Sequence, residues 1–154
     1  MQDLEKVVRS LQAIEDIKKL QAKYSYLVDS FKLDALMDLF VDDATANFIG
    51  SDLIGKAQIQ TFFRDVVMAA AVMLRHLNTN PIIEVDGDTA VGEWYCFGPG
   101  AMKTPNGQAA TWFMGKYTNQ YVNVKGQWKF KKVVFETTFS VSYKEGWVKA
   151  QAAK

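Results

Sequence analysis

Apolar residues recur every three or four positions in the first part of the chain. Between Asp3 and Asp29 the repeat consists of Leu4, Val7, Leu11, Ile14, Ile17, Leu20, Tyr24 and Leu27. This spacing puts one apolar stripe along a helix and predicts an amphipathic helix that covers a core. Shorter stretches with the same period predict a second helix over residues 33–39 and a third over residues 56–73.

After Arg75 the period changes to two, which is the spacing of side chains on one face of a strand. A strand from His76 to Val85 is predicted to form a hairpin with residues 89–97 through the turn Asp86-Gly87-Asp88. A break is expected at Gly98-Pro99-Gly100. Further strands are predicted over residues 109–124 and 127–141, and a small one over residues 44–48.

Helices followed by a long antiparallel meander predict an α+β fold. We expect one domain over residues 1–154, in which the N-terminal helices pack against a curved, mostly antiparallel sheet. A sheet that bends over a long helix leaves a cone-shaped cavity between the two. Catalytic or binding residues are therefore expected on the inner faces of the strands.

Composition excludes several classes of partner and cofactor. Lys and Arg number 18 and Asp and Glu number 17, so no basic surface is expected to bind nucleic acid. The single cysteine, Cys96, excludes an intrachain disulfide and a Cys-based zinc site. No apolar run reaches the roughly 20 residues that span a bilayer. The charged N-terminal sequence lacks an apolar signal region and predicts a cytoplasmic protein without a membrane partner.

His76 is the only histidine in the chain, so acid–base chemistry near neutral pH depends on it. Strand alternation places it on one face with Asn78 and Asn80. A structural histidine, hydrogen-bonded in the core, is the alternative interpretation. Asp29 lies on the apolar side of the first helix, where an isolated carboxylate needs a partner. It could instead cap the following turn, which begins at Ser30.

Tyr24 lies about 140° around the helix from Asp29, so both can border one cavity without touching each other. Strand alternation predicts that aromatic and apolar side chains complete the wall. The predicted wall residues are Trp94, Cys96, Phe113, Tyr117, Val133 and Phe135. Cys96 could be a nucleophile beside His76, although a buried, inert thiol is favoured in an aromatic strand.

An Asp that accepts a proton from one imidazole nitrogen leaves the other nitrogen free to act as a base. Such a pair needs no cofactor and suits elimination, isomerisation or retro-aldol cleavage. A metal site is not expected, because one histidine and scattered carboxylates offer no ligand cluster. The glycines form no phosphate-binding motif.

Several segments resemble the SnoaL-like proteins of the NTF2-like superfamily. The opening resembles that family in Ala13-Ile14-Glu15-Asp16-Ile17-Lys18-Lys19-Leu20, in Tyr24 and Asp29, and in Leu39-Phe40-Val41-Asp42-Asp43-Ala44. Its later strands are similar to His76-Leu77-Asn78-Thr79-Asn80-Pro81, to Gly92-Glu93-Trp94-Tyr95 and to residues 115–130. The resemblance implies an NTF2-like cone.

The family includes the cofactor-independent enzymes hexachlorocyclohexane dehydrochlorinase, bile-acid 7α-dehydratase and scytalone dehydratase, and also non-catalytic small subunits of ring-hydroxylating dioxygenases. The resemblance implies an Asp29–His76 general base assisted by Tyr24. The bile-acid enzyme has a second carboxylate at the position that corresponds to about Gly98, where this chain has none. This departure speaks against the bile-acid reaction and implies a wider cavity mouth.

We therefore expect a lyase or isomerase for a hydrophobic aromatic or polycyclic compound, in aromatic compound catabolism. A non-catalytic binding or assembly subunit is the alternative.

The predicted outer sheet face carries apolar side chains that a single domain would leave in water. They are Tyr95, Phe97, Trp112 and Met114. We expect a homo-oligomer that buries them, and the resemblance favours a trimer over a dimer. The alternative is that the tail with Tyr143 and Trp147 folds back over this face.

Overall fold

The computed structural model describes residues 2–148. Helix α1 (Gln2–Asp29) is followed by a short α2 (Leu33–Met37). Helix α3 (Lys56–Phe62) continues through a π-helical turn (Phe63–Val67) into α4 (Met68–Ala70). This helical segment ends earlier than predicted, because Ala71 has an extended backbone with φ −84° and ψ 146° and begins a strand.

The strands form one seven-stranded sheet. They are β1 (Phe40–Phe48), β2 (Ser51–Ile54), β3 (Ala71–Leu74), β4 (Leu77–Asp86), β5 (Thr89–Thr104), β6 (Gly107–Val124) and β7 (Gln127–Ser142). The sheet order is β2-β1-β7-β6-β5-β3, and β4 also pairs with β5. Every pairing is antiparallel except that of β1 with β7. The predicted α+β fold with a mostly antiparallel sheet is confirmed.

The region around His76 differs from the predicted strand. Strands β3 and β4 pair with the same edge of β5, and Arg75 and His76 form the connection between them. His76 therefore lies at an interruption, not inside a strand. The expected break at Gly98-Pro99-Gly100 is also wrong, because β5 runs through these residues in register with β6.

The core lies between α1 and the inner face of the sheet. Helix α1 buries Ala13, Ile17, Leu20, Tyr24 and Val28, which are three or four residues apart. The predicted apolar stripe is wrong at its start, because Leu4, Val7 and Leu11 are exposed, as is the neighbouring Val8. Within residues 2–148, none of the helices is both long and apolar enough to cross a membrane.

Candidate active site

Three polar residues on α1, four positions apart, point towards the sheet. They are Gln21, Ser25 and Asp29, of which Gln21 and Ser25 are buried. Spacing by four places side chains one above the other along a helix. Gln21 bonds Asn119 on β6, Ser25 bonds Asn78 on β4, and Asp29 bonds His76 in the connection between β3 and β4. These three contacts hold α1 against the sheet.

Asp29 contacts His76 with both oxygens of its carboxylate. The distance between His76 Nδ1 and Asp29 Oδ1 is 2.6 Å, and the backbone N–H of His76 donates to Asp29 Oδ2 at 3.0 Å. A carboxylate only accepts, so it holds the imidazole proton on Nδ1 and leaves Nε2 without a proton in the neutral ring. The side chains are 13% and 11% exposed for Asp29 and His76 respectively. Both carboxylate oxygens of Asp29 are occupied by His76, so the geometry does not support the alternative that Asp29 caps the turn beginning at Ser30.

Two further contacts hold the imidazole and the strand that follows it. The rings of His76 and Phe113 lie 5.1 Å apart between centroids. Asn78 Nδ2 donates to Ser25 Oγ at 2.6 Å, and Ser25 Oγ donates to the carbonyl of Gln21 at 3.3 Å. The start of β4 is thus tied to the helix that carries Asp29. Sequence reasoning missed Ser25, whose signal was its four-residue spacing from Asp29.

A buried polar cluster joins α1 to strands β5 and β6. Gln21 Oε1 accepts from Asn119 Nδ2 at 3.0 Å and from the Tyr121 hydroxyl at 3.3 Å. Trp94 Nε1 donates to the Tyr121 hydroxyl at 3.0 Å. All four side chains are buried. Trp94 is therefore a core residue in this region and does not reach the cavity.

A cavity of about 240 Å³ opens between α1, the α3–α4 segment and strands β5 to β7. Of the predicted wall residues, Tyr24, Phe113, Tyr117 and Phe135 line it, as does His76. Trp94, Cys96 and Val133 do not line it; they are inward-facing, as alternation indicates, but lie deeper in the packed core. Period-two alternation identifies the face of a strand and not the depth along the cone.

Residues that the sequence did not place on the wall complete it. They include Phe62, Phe63 and Val67 of the helical segment and the hydroxyl-bearing Thr111, Thr137 and Ser140. No Lys or Arg among residues 2–148 lines this cavity. It therefore suits an uncharged, largely apolar molecule.

Burial keeps the phenols at the cavity in their neutral form. Desolvation raises the pKa of Tyr24 well above its ordinary value, and a hydrogen bond with Tyr117 opposes this only in part. Desolvation raises the pKa of Tyr117 in the same direction. Tyr24 thus keeps its hydroxyl proton and can donate a hydrogen bond, and it is not a phenolate at physiological pH.

Cys96 is fully buried in β5. Burial, and secondly the nearby charge of Asp29, raise the pKa of its thiol to about 12. A thiol in this state is a poor nucleophile. The geometry therefore supports the inert interpretation of Cys96.

The absent carboxylate at Gly98 does not widen the cavity, which corrects the expectation from the resemblance. A Cβ on Gly98 would lie 1.6 Å from the carbonyl oxygen of Arg75 and 3.0 Å from the Phe113 ring. The space beside Gly98 is already filled, so a carboxylate side chain has no room at this position.

A groove of about 460 Å³ lies beside β2 and α3, away from His76, and two still larger grooves, of about 780 and 620 Å³, lie at the other end of the strands. Valines and exposed charged residues line much of the two larger grooves, and neither includes His76. Among residues 2–148, no group of three or more His, Cys, Asp or Glu side chains could hold a metal ion. The cavity beside His76 is thus the candidate active site.

A protein-family model matches most of the chain. The sequence model described as SnoaL-like domain matches residues 9–134. Curated protein sequences contain no significant match to the chain.

Three solved structures illustrate the likeness in fold. A candidate scytalone dehydratase from Novosphingobium aromaticivorans has a TM-score of 0.79 at 23% identity, covering 93% of this chain and 92% of that one. The hexachlorocyclohexane dehydrochlorinase LinA-type3 from Novosphingobium barchaimii has a TM-score of 0.78 at 22% identity, with 91% and 93% covered. A candidate aromatic ring hydroxylase from Novosphingobium aromaticivorans has a TM-score of 0.74 at 27% identity, with 86% and 96% covered.

Proposed function

Since the chain belongs to the SnoaL-like family and has the NTF2-like fold, we propose that it is a cofactor-independent lyase or isomerase. Its substrate is a hydrophobic aromatic or polycyclic small molecule. The observation that carries the proposal is the 2.6 Å contact between Asp29 and His76 beside an apolar cavity. A protein that used the cone only as a packed core would have no need for a free imidazole nitrogen at a cavity wall.

In the proposed elimination, His76 Nε2 takes a proton from a substrate carbon. The C–H electron pair forms the new double bond while a hydroxyl or halide leaves with its own bonding pair. Asp29 stabilises the imidazolium that forms, through the Nδ1–H bond. The pair is mostly withdrawn from water, so it lies in surroundings of low effective dielectric constant. The attraction between the carboxylate and the imidazolium is therefore strong.

Tyr24 is proposed to donate a hydrogen bond to an oxygen atom of the substrate. Its raised pKa keeps the hydroxyl protonated, so it can donate to a carbonyl or to a departing hydroxyl. The aromatic wall of Phe113, Tyr117 and Phe135 supplies the contact surface for a ring system. The names of two structural neighbours, a candidate scytalone dehydratase and a dehydrochlorinase, support this class of chemistry.

The test begins with a thermal-shift screen of neutral aromatic, steroid and polyketide-like compounds, because a ligand of the native state raises the unfolding temperature. Compounds that bind are then incubated with the protein and analysed for loss of water or halide, or for isomerisation. An alkene product that forms without added cofactor supports the proposal. Binding of many compounds with no turnover of any would count against it.

A second candidate function is a non-catalytic assembly subunit. One structural neighbour, at 27% identity, is named as a candidate aromatic ring hydroxylase, and the family that the sequence resembles includes non-catalytic small subunits of ring-hydroxylating dioxygenases. In this case the protein would bind a larger catalytic subunit in stoichiometric amount, and replacement of His76 would leave the activity of the assembly unchanged.

We also propose a cytoplasmic homo-oligomer, with a trimer favoured. On the outer sheet face, Phe97 stacks on Trp112 with ring centroids 5.1 Å apart, and Trp147 lies edge-on to both rings at 6.5 Å. The tail thus covers part of this face, yet Trp147 remains 49% exposed and Tyr95 51% exposed. Apolar surface of this kind favours contact with further copies of the chain.

A further inference from the structure

We propose that Gly98 is a positioning residue for His76, through the peptide group that joins Arg75 to His76. This inference rests on the proposed function, because it concerns how the Asp29–His76 pair is held for catalysis. Gly98 does not line the cavity and contacts no reacting group. Its role follows from the absence of a side chain, which leaves room for the carbonyl group of Arg75.

The Arg75–His76 connection runs along the edge of β5 directly opposite Gly98. Leu74 pairs with Gly100 and Leu77 pairs with Phe97, so the register advances by the same number of residues on both sides of the connection. The backbone N–H of Arg75 donates to the carbonyl of Pro99 at 3.1 Å. The connection is therefore anchored to β5, and it departs from regular pairing only at the next peptide group.

That peptide group spans the gap between β5 and α1. Its C=O end is the Arg75 oxygen, which lies 1.6 Å from the position of a Gly98 Cβ. Its N–H end is the His76 amide, which donates to Asp29 Oδ2 at 3.0 Å. Since the C=O and N–H of a trans peptide point in opposite directions, the carbonyl must occupy the space over Gly98 for the N–H to reach Asp29.

The requirement for glycine is one of space and not of conformation. Gly98 is not among the glycines with a positive φ. Real Cβ atoms essentially never approach another atom within 3.0 Å, so a methyl group at Gly98 must displace the Arg75 carbonyl by about 1.4 Å (3.0 − 1.6). That displacement rotates or shifts the peptide and breaks the double contact of His76 with Asp29.

Gly100 provides a matched control. It is buried on the same face of β5, two residues further on. A Cβ there would meet the Thr111 hydroxyl at 2.8 Å, which side-chain rotation can relieve, and its nearest backbone atom is at 3.6 Å. The same glycine-to-alanine change is thus expected to leave the His76 peptide in place.

The test uses protein labelled with ¹⁵N at histidine, because the only His then gives one backbone amide and one imidazole. In the unmodified protein and in Gly100→Ala we expect a protected His76 amide and a ring protonated on Nδ1. In Gly98→Ala we expect amide exchange that is faster by about tenfold or more, together with mixed ring tautomers. Asp29→Ala removes both acceptor oxygens and supplies the reference spectrum for a lost contact.

A folded Gly98→Ala variant with the unmodified amide protection and ring signals would overturn the inference. If Gly98→Ala does not fold, Gly98→Ala/Phe113→Leu is measured against Phe113→Leu, because removal of the ring leaves the carbonyl as the main obstacle. Retention of the Nδ1-protonated signal in the double variant would overturn the inference equally.

Turnover separates this inference from the proposed function. Once a substrate is known, Gly98→Ala is expected to lower kcat by about 10²-fold with little change in KM, since misplacement of a catalytic group by about 1 Å has that effect. If no substrate is turned over while the NMR results hold, the proposed function fails and the positioning role of Gly98 stands.

Discussion

Asp29 binds His76 at two points, with one oxygen on the ring nitrogen Nδ1 and the other on the backbone N–H. A single ring contact would leave the imidazole free to swing about its side-chain bonds. The second contact fixes the backbone from which the side chain projects, so the direction of Nε2 is set by the fold. The pair joins the last residue of α1 to the connection between β3 and β4.

Ser25→Ala should destabilise the protein by about 1–3 kcal/mol, because it leaves the half-buried Asn78 amide without its acceptor. Urea unfolding measures the change. Ser30→Ala is the control, since Ser30 is exposed and bonds only a helix carbonyl. Equal effects of the two replacements would show that the Ser25–Asn78 contact contributes nothing particular.

Cys96 should resist thiol reagents in the native protein at pH 8. The side chain is buried and its pKa is raised to about 12, so neither access nor ionisation favours reaction. An Ellman titration should find one reactive thiol in urea and essentially none without it. Fast native labelling at this pH would contradict the burial of Cys96.

The buried tyrosines should make stability fall at alkaline pH. Burial raises the pKa of Tyr121 from 10.0 to about 12, so the unfolded chain loses its proton first and unfolding is favoured as pH rises through that interval. The contribution of the protonated Tyr121 to the free energy of unfolding is fully present below pH 10.0. Tyr121→Phe should reduce the loss of stability between pH 9 and 12, and Tyr26→Phe, at an exposed position, should not. Unfolding midpoints across this range provide the measurement.

The sequence predicted the features of the site that depend on neighbouring residues in the chain, and it missed those that depend on contacts between distant segments. Local spacing predicted the first helix and the inward faces of Phe113 and Tyr117. Composition alone identified His76 as the only histidine. The interruption at His76 could not be predicted in this way, because it depends on the approach of the Arg75 carbonyl to Gly98, which lies on a different strand. Trp94 was expected at the cavity, but its bond to Tyr121 holds it in the core.

Assembly is tested by sedimentation at micromolar concentration. A homo-oligomer, with a trimer favoured, is expected because Tyr95, Tyr143 and Trp147 are exposed at the outer aromatic face, although Phe97, Trp112 and Met114 are half-buried. Burial of such surface contributes about 25 cal/mol per Å², against which the cost of association is set. Tyr95→Glu, at an exposed outer position, should shift the equilibrium towards monomer, whereas Tyr26→Glu on α1 should not. A stable monomer would indicate that the tail covers this face sufficiently by itself.

The most direct test of catalysis by the Asp29–His76 pair is kcat/KM of His76→Gln and Asp29→Asn on the first substrate that the screen identifies. A general base contributes about 10²–10⁴-fold, so both variants should lose activity by factors in that range while keeping their fold. Asp38→Asn, an exposed carboxylate, serves as the control and should retain full activity. Unchanged kcat/KM in a folded His76→Gln protein would contradict the proposed role of this pair.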